Sequence, residues 1–208
     1  MKNSKRPLCQ QCHYPLKTCV CHVLLPMSVP ANITIIQDPS ETLHAKNTAR
    51  LLTLAIPSCQ IVTLDGITEW PQTLIKQNQC TVVIYPSENA QPIETLYLAS
   101  DMSLDEKLAG IEHIILLDGS WRKTRKLWLS YPELQQCTTL TFSNAPSTQY
   151  AIRKTTQSHS MSTLEACAYT LEQLFDSDTS VLYALLNAMQ SHWQRHEPHT
   201  KTNIEDPI

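Results

Sequence analysis

Glycine is scarce in this chain. The 208 residues include 3 glycines, whereas average usage of about 7% would give roughly 15. They are Gly66, Gly110 and Gly119, which lie too far apart to build a GxGxxG turn or a P-loop. Nucleotide-phosphate chemistry by either of those loops is therefore excluded, and a glycine-rich Rossmann methyltransferase loop is equally unsupported.

Long apolar runs and a strong charge bias are also missing. No stretch approaches the roughly 18 apolar residues that a membrane span requires, and the basic N-terminus leads into cysteines rather than into an apolar signal core. The formal net charge is −3, so any polyanion has to be bound by a local patch. We expect a soluble cytoplasmic protein with no membrane contact. The sequence leaves the oligomeric state open, and a monomer is the simplest expectation.

The eight cysteines fall into two groups. Four are scattered among apolar residues and are expected to be buried, inert thiols: Cys59, Cys80, Cys137 and Cys167. The other four lie within thirteen positions and offer the thiolates that a structural zinc ion prefers: Cys9, Cys12, Cys19 and Cys21. Two disulfides or free thiols are the alternatives. This segment either contacts RNA, helped by Lys5, Arg6 and Lys17, or only fastens the N-terminus to the core.

Strands that alternate with helices predict an α/β fold with a mostly parallel sheet flanked by helices. Apolar runs predict strands at 33–37, 60–64, 81–85, 113–118 and 138–142. Helical periodicity predicts helices at about 44–56, 71–77, 102–109, 121–130, 162–175 and 180–193. We divide the chain into a zinc-binding knuckle (1–30), a main α/β domain (31–193) and a flexible tail (194–208). Ligand-binding loops should gather where the strands end, at 38–41, 86–88, 118–121 and 143–150.

The most informative of these loops follows the strand at 113–118. Asp118, Ser120 and Trp121 offer a candidate acid or base, a hydroxyl and a stacking surface. The alternatives are that Asp118 caps the next helix and that Trp121 belongs to the core. Four cations follow at once, which suits a phosphate track or an ordinary solvated face: Arg122, Lys123, Arg125 and Lys126.

Two later segments complete the pattern. Arg153 and Lys154 lie in a polar loop and would extend the phosphate track. Ser162-Thr163-Leu164-Glu165 reads as a capping box, which by itself explains these residues as a helix start.

Taken together, these motifs resemble the DTW-domain family, whose bacterial members include tRNA-uridine aminocarboxypropyltransferase. The matching pieces occur in the family's order: the cysteine cluster, 37–41, 47–52, 85–87, 117–121, 150–154 and 162–166. Two positions depart from the family pattern. Ser120 stands where Thr is usual, which keeps the hydroxyl, and Asp38 stands where we expect His. An anionic Asp38 would repel phosphate.

The resemblance implies transfer of the 3-amino-3-carboxypropyl group from S-adenosylmethionine to N3 of a tRNA uridine, with release of methylthioadenosine. It also implies that residues 31–193 form the catalytic domain, with a SPOUT-like fold and a knot near the C-terminus. The implied catalytic residues are Asp118, Ser120 and Trp121. The implied donor-binding residues are Tyr85, Pro86, Ser87, Leu117, Gly119, Ser162, Thr163 and Glu165. The implied tRNA-binding residues are Arg50, Arg122, Lys123, Arg125, Lys126, Arg153 and Lys154.

Two other functions stay open at this point. One is a SPOUT-type RNA methyltransferase, which uses the same donor but transfers a methyl group. The other is a non-catalytic zinc-knuckle protein that binds RNA or assists ribosome assembly.

Overall fold

The protein is described from a computed structural model that covers residues 7–42, 44, 46–76, 79–96, 110–152 and 161–194. Six strands form one sheet in the order β2-β1-β5-β3-β6-β4, and each neighbouring pair is parallel. The strands are β1 (Asn32–Gln37), β2 (Cys59–Thr63), β3 (Thr81–Ile84), β4 (Gln91–Pro92), β5 (His113–Asp118) and β6 (Thr138–Thr141). The expected parallel α/β architecture is confirmed.

Helices cover both faces of this sheet. They are α1 (Ala49–Ala55), α2 (Trp121–Ser130), α3 (Pro132–Gln135), α4 (Thr163–Phe175) and α5 (Ser180–Gln194). On β5, Ile114 and Leu116 pack into the cluster that contains α1, α4 and α5. Ile115 points to the opposite face and packs with Leu127 of α2 and Leu134 of α3. Because both faces are buried, the central strands carry continuous apolar runs rather than alternating ones.

The cysteine segment packs directly on this core. Cys12 and Val20 are fully buried and belong to the same apolar cluster as the sheet residues of β1 and β5. Two short 3-10 turns, Leu16–Thr18 and Cys21–Val23, shape the segment. The N-terminal residues therefore share the main core, and a domain boundary at residue 30 stays a prediction.

The predicted strands are confirmed to within one residue at each end, but two of the predicted helices are not. The helix expected at 44–56 begins at Ala49. Asn47 uses its side chain in a turn instead, donating to the Glu41 carbonyl at 2.9 Å and accepting from Arg50 N–H at 3.3 Å. The prediction of a helix at 71–77 is wrong over its described part, where 71–76 forms turns and bends.

Two short elements that contain a proline, β4 and α3, were not predicted. β4 contains Pro92 and lies at the sheet edge, where a missing N–H is tolerated. Pro132 occupies the first turn of α3, which is a favourable position for proline. The predicted helix at 102–109 lies outside the described residues, and so does the tail beyond Gln194.

The prediction that the scattered cysteines are all buried is wrong for Cys80. Cys59 and Cys167 are buried and Cys137 is half-buried, but Cys80 is exposed in the loop before β3. Among the helices of the described segments, none has the length and apolar character to cross a bilayer.

Candidate functional site

The carboxyl ends of β1, β5, β3 and β6 meet at one edge of the sheet. The strand register pairs Gln37 with Asp118 across β1 and β5, and Ile84 of β3 lies beside Leu116 and Leu140. A cavity of about 540 Å³ opens between these strand ends and the start of α4. Its volume lies in the usual range for a small-molecule site. We call it the edge cavity.

Most of the residues expected to bind the donor line this cavity. They are Tyr85, Pro86, Leu117, Gly119, Ser162 and Thr163, and the expected catalytic residue Trp121 joins them. Ser87 lines a neighbouring cavity instead. Glu165 lies behind the edge cavity with 1% of its surface exposed. The structure therefore brings together residues from three separate sequence motifs, 85–87, 117–121 and 162–166.

Asp118 holds the end of β5 to two other elements. Its side chain is buried, and one carboxylate oxygen accepts a hydrogen bond from Gln37 Nε2 at 2.7 Å. The other oxygen accepts from the hydroxyl of Thr163, the first residue of α4. The N-cap position of α2 belongs to Ser120, so the alternative in which Asp118 caps that helix is wrong.

Gly119 permits the turn from β5 into α2. Its φ is +154°, in the region that side chains disfavour. A Cβ atom there would lie 3.1 Å from Cβ of Lys123, closer than most real contacts. One of the three glycines is thus required where the strand end meets the cavity.

Trp121 faces the edge cavity, whereas the half-buried Ser120 is not among the residues that line it. The Ser120 hydroxyl makes no capping hydrogen bond to α2, so the helix start is held by its carbonyl, which accepts from Lys123 and Thr124 N–H. Trp121 is 50% exposed and lines the edge cavity. The alternative that Trp121 is a core residue is therefore wrong.

The carboxylates of Glu94 and Glu165 hold the loop after β6, which forms part of the wall of the edge cavity. Glu94 was not predicted from the sequence. Glu94 accepts from the backbone N–H groups of Ser143 and Asn144 at 3.1 and 2.9 Å. It also accepts from the hydroxyls of Ser143 and Tyr169 at 2.9 and 3.0 Å. Burial alone would raise the pKa of Glu94, but hydrogen bonds from Asn144 and Ser143 outweigh it and lower the pKa. Ser143 and Asn144 line the cavity.

Glu165 holds the far end of the same loop. Its carboxylate accepts from Gln149 N–H at 2.6 Å and from the Thr148 hydroxyl at 2.9 Å. It also accepts from Ser162 N–H at 2.8 Å, which completes the predicted capping box. Glu165 can therefore shape the cavity through the loop and through Ser162.

The cationic residues of α2 are only partly available. Lys123 forms an ion pair with Glu41 at 2.6 Å, and Lys126 donates to the carbonyl of Asp65 at 2.6 Å. Arg122 and Arg125 are exposed, and neither forms an ion pair with another described residue. The accessible charge is therefore smaller than four cations in sequence suggest.

The other expected RNA contacts fall elsewhere. Arg50 donates to the Cys12 carbonyl at 2.7 Å and stacks over the Tyr14 ring at 4.6 Å, so it is tied to the cysteine segment. Arg153 and Lys154 lie outside the described residues.

Asp38 has a local structural role in this chain. Its carboxylate caps the 3-10 turn Pro39–Glu41 by accepting from Ser40 N–H at 3.0 Å. Burial alone would raise its pKa, but the Ser40 hydrogen bonds and the charges of Lys123 and Lys126 hold the pKa of Asp38 below its usual value. Nearby cations thus offset the negative charge that would repel phosphate.

The four clustered cysteines have the geometry of a metal site. Their sulfur atoms all lie within 4.8 Å of one another, and the pairs Cys9–Cys21 and Cys12–Cys19 are each 3.7 Å apart. Four sulfurs around zinc at about 2.3 Å would be about 3.8 Å apart. Backbone N–H groups of Cys12 and Gln11 lower the pKa of Cys9 to about 6, whereas burial and the neighbouring thiols raise the pKa of Cys21 to about 12. The spacing of the four sulfur atoms, rather than the pKa values of the thiols, therefore fits zinc.

The sequence comparisons agree with this arrangement. The family model for the DTW domain matches residues 6–194, the cysteine segment included. The chain belongs to the DTW-domain family. No solved structure matches it.

Three curated relatives carry the name tRNA-uridine aminocarboxypropyltransferase 2. The Drosophila melanogaster protein is 26% identical over 187 residues, which cover 82% of this chain and 68% of the relative. The proteins of Macaca fascicularis and Mus musculus are 25% and 24% identical over 194 residues. Those alignments cover 90% of this chain, and this chain spans 62% of each mammalian relative.

Proposed function

We propose that this protein is an enzyme that transfers the 3-amino-3-carboxypropyl group of S-adenosylmethionine to N3 of a uridine in tRNA. One observation carries the proposal: a small-molecule cavity built from three motifs of the DTW family, in a chain whose relatives are named for this activity. The reaction forms an N3–carbon bond and breaks the bond from that carbon to sulfur. Methylthioadenosine leaves, and the N3 proton passes to solvent.

The edge cavity binds the donor in this proposal. Its apolar walls at Leu117 and Pro86 suit the adenosine portion, and Trp121 closes one side. The carboxylate of the transferred group lies toward the start of α4, where the helix dipole favours a negative charge. Such anchoring would present the aminocarboxypropyl carbon, rather than the methyl carbon, to the uridine.

Asp118 acts in this scheme as an orienting group. Both of its oxygens already accept hydrogen bonds, from Gln37 and Thr163. It therefore fixes the start of α4 against the strand ends and holds Thr163 toward the donor. Ser120, whose hydroxyl is not used in capping, is available to the donor or to the uridine.

A zinc ion on Cys9, Cys12, Cys19 and Cys21 has a structural role in this proposal. Four thiolates close the coordination sphere, which leaves no open position for a substrate. The exposed Arg122 and Arg125 contact the tRNA backbone. A SPOUT-like topology with a C-terminal knot, and a location in the cytoplasm, stay predictions from the sequence.

The test is an assay with purified protein, S-adenosylmethionine and unmodified tRNA transcripts. We expect nucleoside mass spectrometry to find 3-amino-3-carboxypropyl uridine together with methylthioadenosine. A methylated nucleoside with adenosylhomocysteine would establish the methyltransferase alternative instead. RNA binding without donor binding would favour the non-catalytic alternative.

Asp118 supplies the matching variant. Asp118→Ala should abolish transfer while tRNA still binds, because the substitution removes the link between β5 and α4 but no exposed cation. Full activity in this variant would remove Asp118 from the mechanism.

A further inference from the structure

A second cavity adjoins the edge cavity. Its volume is about 630 Å³, and it lies between α2 and β6. Tyr85 and Pro86 line both cavities, so the two are separated by one short loop. We call it the flanking cavity. Of the expected donor-binding residues, only Ser87 lines the flanking cavity without also lining the edge cavity.

The flanking cavity contains a stacked aromatic pair. The rings of Tyr85 and Trp128 have centroids 4.7 Å apart and planes inclined by 21°. Both residues are half-buried, so each ring is supported by the protein and still reaches the surface. Such a pair is a rigid surface on which a further flat ring can stack.

Residues on one side of α2 line both cavities. Trp121, Arg125 and Trp128 are four and three residues apart, a spacing that puts them on the same side of a helix. Trp121 lines the edge cavity, whereas Arg125 and Trp128 line the flanking cavity. Burial raises the pKa of Tyr85 and the charge of Arg125 opposes that rise, so the guanidinium lies near the aromatic pair.

These groups fit the parts of a nucleotide. A base stacks on aromatic rings whatever its identity, and an exposed arginine suits a phosphate. Polar side chains on the cavity wall offer hydrogen bonds to base or ribose edges: Ser87, Asn89, Gln91, Gln135 and Thr139. The walls thus combine stacking, charge and hydrogen bonding in one place.

Base extraction explains why a nucleotide should bind beside the donor. A target uridine has to leave its stack to reach the edge cavity. The neighbouring base then loses one stacking partner. Tyr85 and Trp128 can replace that partner, because their cavity begins where the edge cavity ends.

We propose that the flanking cavity binds the nucleotide next to the target uridine, with its base against Tyr85 and Trp128 and its phosphate at Arg125. The proposal rests on the proposed function for the identity of the RNA and of the target. It predicts a subsite that requires an unpaired base but tolerates any of the four.

Trp128 provides the decisive variants, because it lines the flanking cavity and not the edge cavity. Trp128→Leu removes the aromatic face and keeps apolar bulk, and Trp128→Phe keeps an aromatic ring. The probes are fluorescein-labelled hexauridylate and the same backbone without bases. Stacking of about 1–3 kcal/mol per base corresponds to a preference of roughly 5- to 150-fold for the RNA that has bases.

We expect the wild type and Trp128→Phe to show this preference and Trp128→Leu to lose it. Trp128→Leu should bind S-adenosylmethionine as the wild type does, which separates loss of the subsite from misfolding. In the transfer assay it should raise KM for tRNA and leave kcat nearly unchanged. An equal preference in Trp128→Leu and wild type would overturn the proposal, and so would no binding of hexauridylate at millimolar concentration.

Arg125 and Arg122 form a matched pair, because both are exposed on α2 and carry the same charge. We expect Arg125→Gln to weaken binding of both probes and to reduce the salt dependence by about one phosphate contact. The preference for the RNA that has bases should survive in Arg125→Gln and in Arg122→Gln, because neither substitution removes the aromatic pair. The outcome also separates the two proposals. Transfer activity with no effect of Trp128→Leu would refute the subsite alone, whereas a Trp128-dependent preference without transfer would refute the proposed function alone.

Discussion

Glu94 offers the sharpest test of how the edge cavity is built. Its carboxylate accepts hydrogen bonds from four donors: two backbone N–H groups, at Ser143 and Asn144, and two hydroxyls, on Ser143 and Tyr169. Glu94→Ala removes all four. Since Ser143 and Asn144 line the cavity, this part of the cavity wall should lose its fixed position.

The size of the effect follows from these contacts. Ser143 and Asn144 are exposed, so water can replace the lost acceptor, and each bond then contributes about 0.5 kcal/mol. Four bonds give about 2 kcal/mol. For a domain of this size the melting temperature should fall by about 4–8 °C. If donor binding has to order the loop again, the Kd for S-adenosylmethionine should rise by up to about 30-fold.

Thermal unfolding and calorimetric titration with S-adenosylmethionine measure these two effects. Glu94→Gln keeps one acceptor oxygen and should lie between the wild type and Glu94→Ala. Glu69→Ala is a suitable control because it removes an exposed carboxylate. An unchanged melting temperature and an unchanged Kd in Glu94→Ala would refute the reasoning.

Three further predictions concern other parts of the molecule. Cys12→Ser should lower the zinc content of the protein, measured by elemental mass spectrometry, and should also lower the melting temperature. Cys80→Ser, at an exposed position, should change neither quantity. Burial and the charge of Lys76 hold the pKa of His113 below its ordinary 6.5, and its ring bonds the hydroxyls of Thr34 and Thr81. Folding therefore favours the neutral form of His113. The free energy of unfolding, measured with urea, should keep its full value above pH 6.5 and decrease as the pH drops below 6.5. A decrease of the same size in His113→Gln would contradict this. Thr163→Val should slow transfer at saturating substrates because Asp118 loses a donor, and Thr163→Ser should restore the rate.

The sheet could be predicted from the sequence because its strands are buried on both faces and carry long apolar runs, as in Ile114–Leu117. The start of α1 could not, because the Asn47 side chain forms a turn that competes with the helix. The apolar pattern of a segment predicts a strand well when the strand is packed on both faces. It does not predict a helix boundary that depends on which of two local hydrogen-bonding patterns one side chain adopts.

The composition of the edge cavity was also partly predictable. The resemblance to the DTW-domain family implied Tyr85, Gly119 and Thr163 as donor-binding residues, and these residues meet at the edge cavity. The hydrogen bond from Gln37 to Asp118 was not foreseen, since it depends on β1 and β5 being neighbours although they are 81 positions apart in sequence. The role of Glu94 could not be predicted, because nothing in the sequence around it indicates that it contacts the loop after β6.

The ion pair between Lys123 and Glu41 has a consequence for how the protein chooses among polyanions. Glu41 already neutralises the Lys123 ammonium, so under the proposed function an RNA phosphate would have to displace Glu41 to reach it. A loosely bound polyanion would gain little from that exchange, because one negative group replaces another. An RNA held in register by other contacts would complete the exchange at small cost. In that role Glu41 would be an internal competitor that discourages indiscriminate binding of polyanions and leaves selection to shape and stacking.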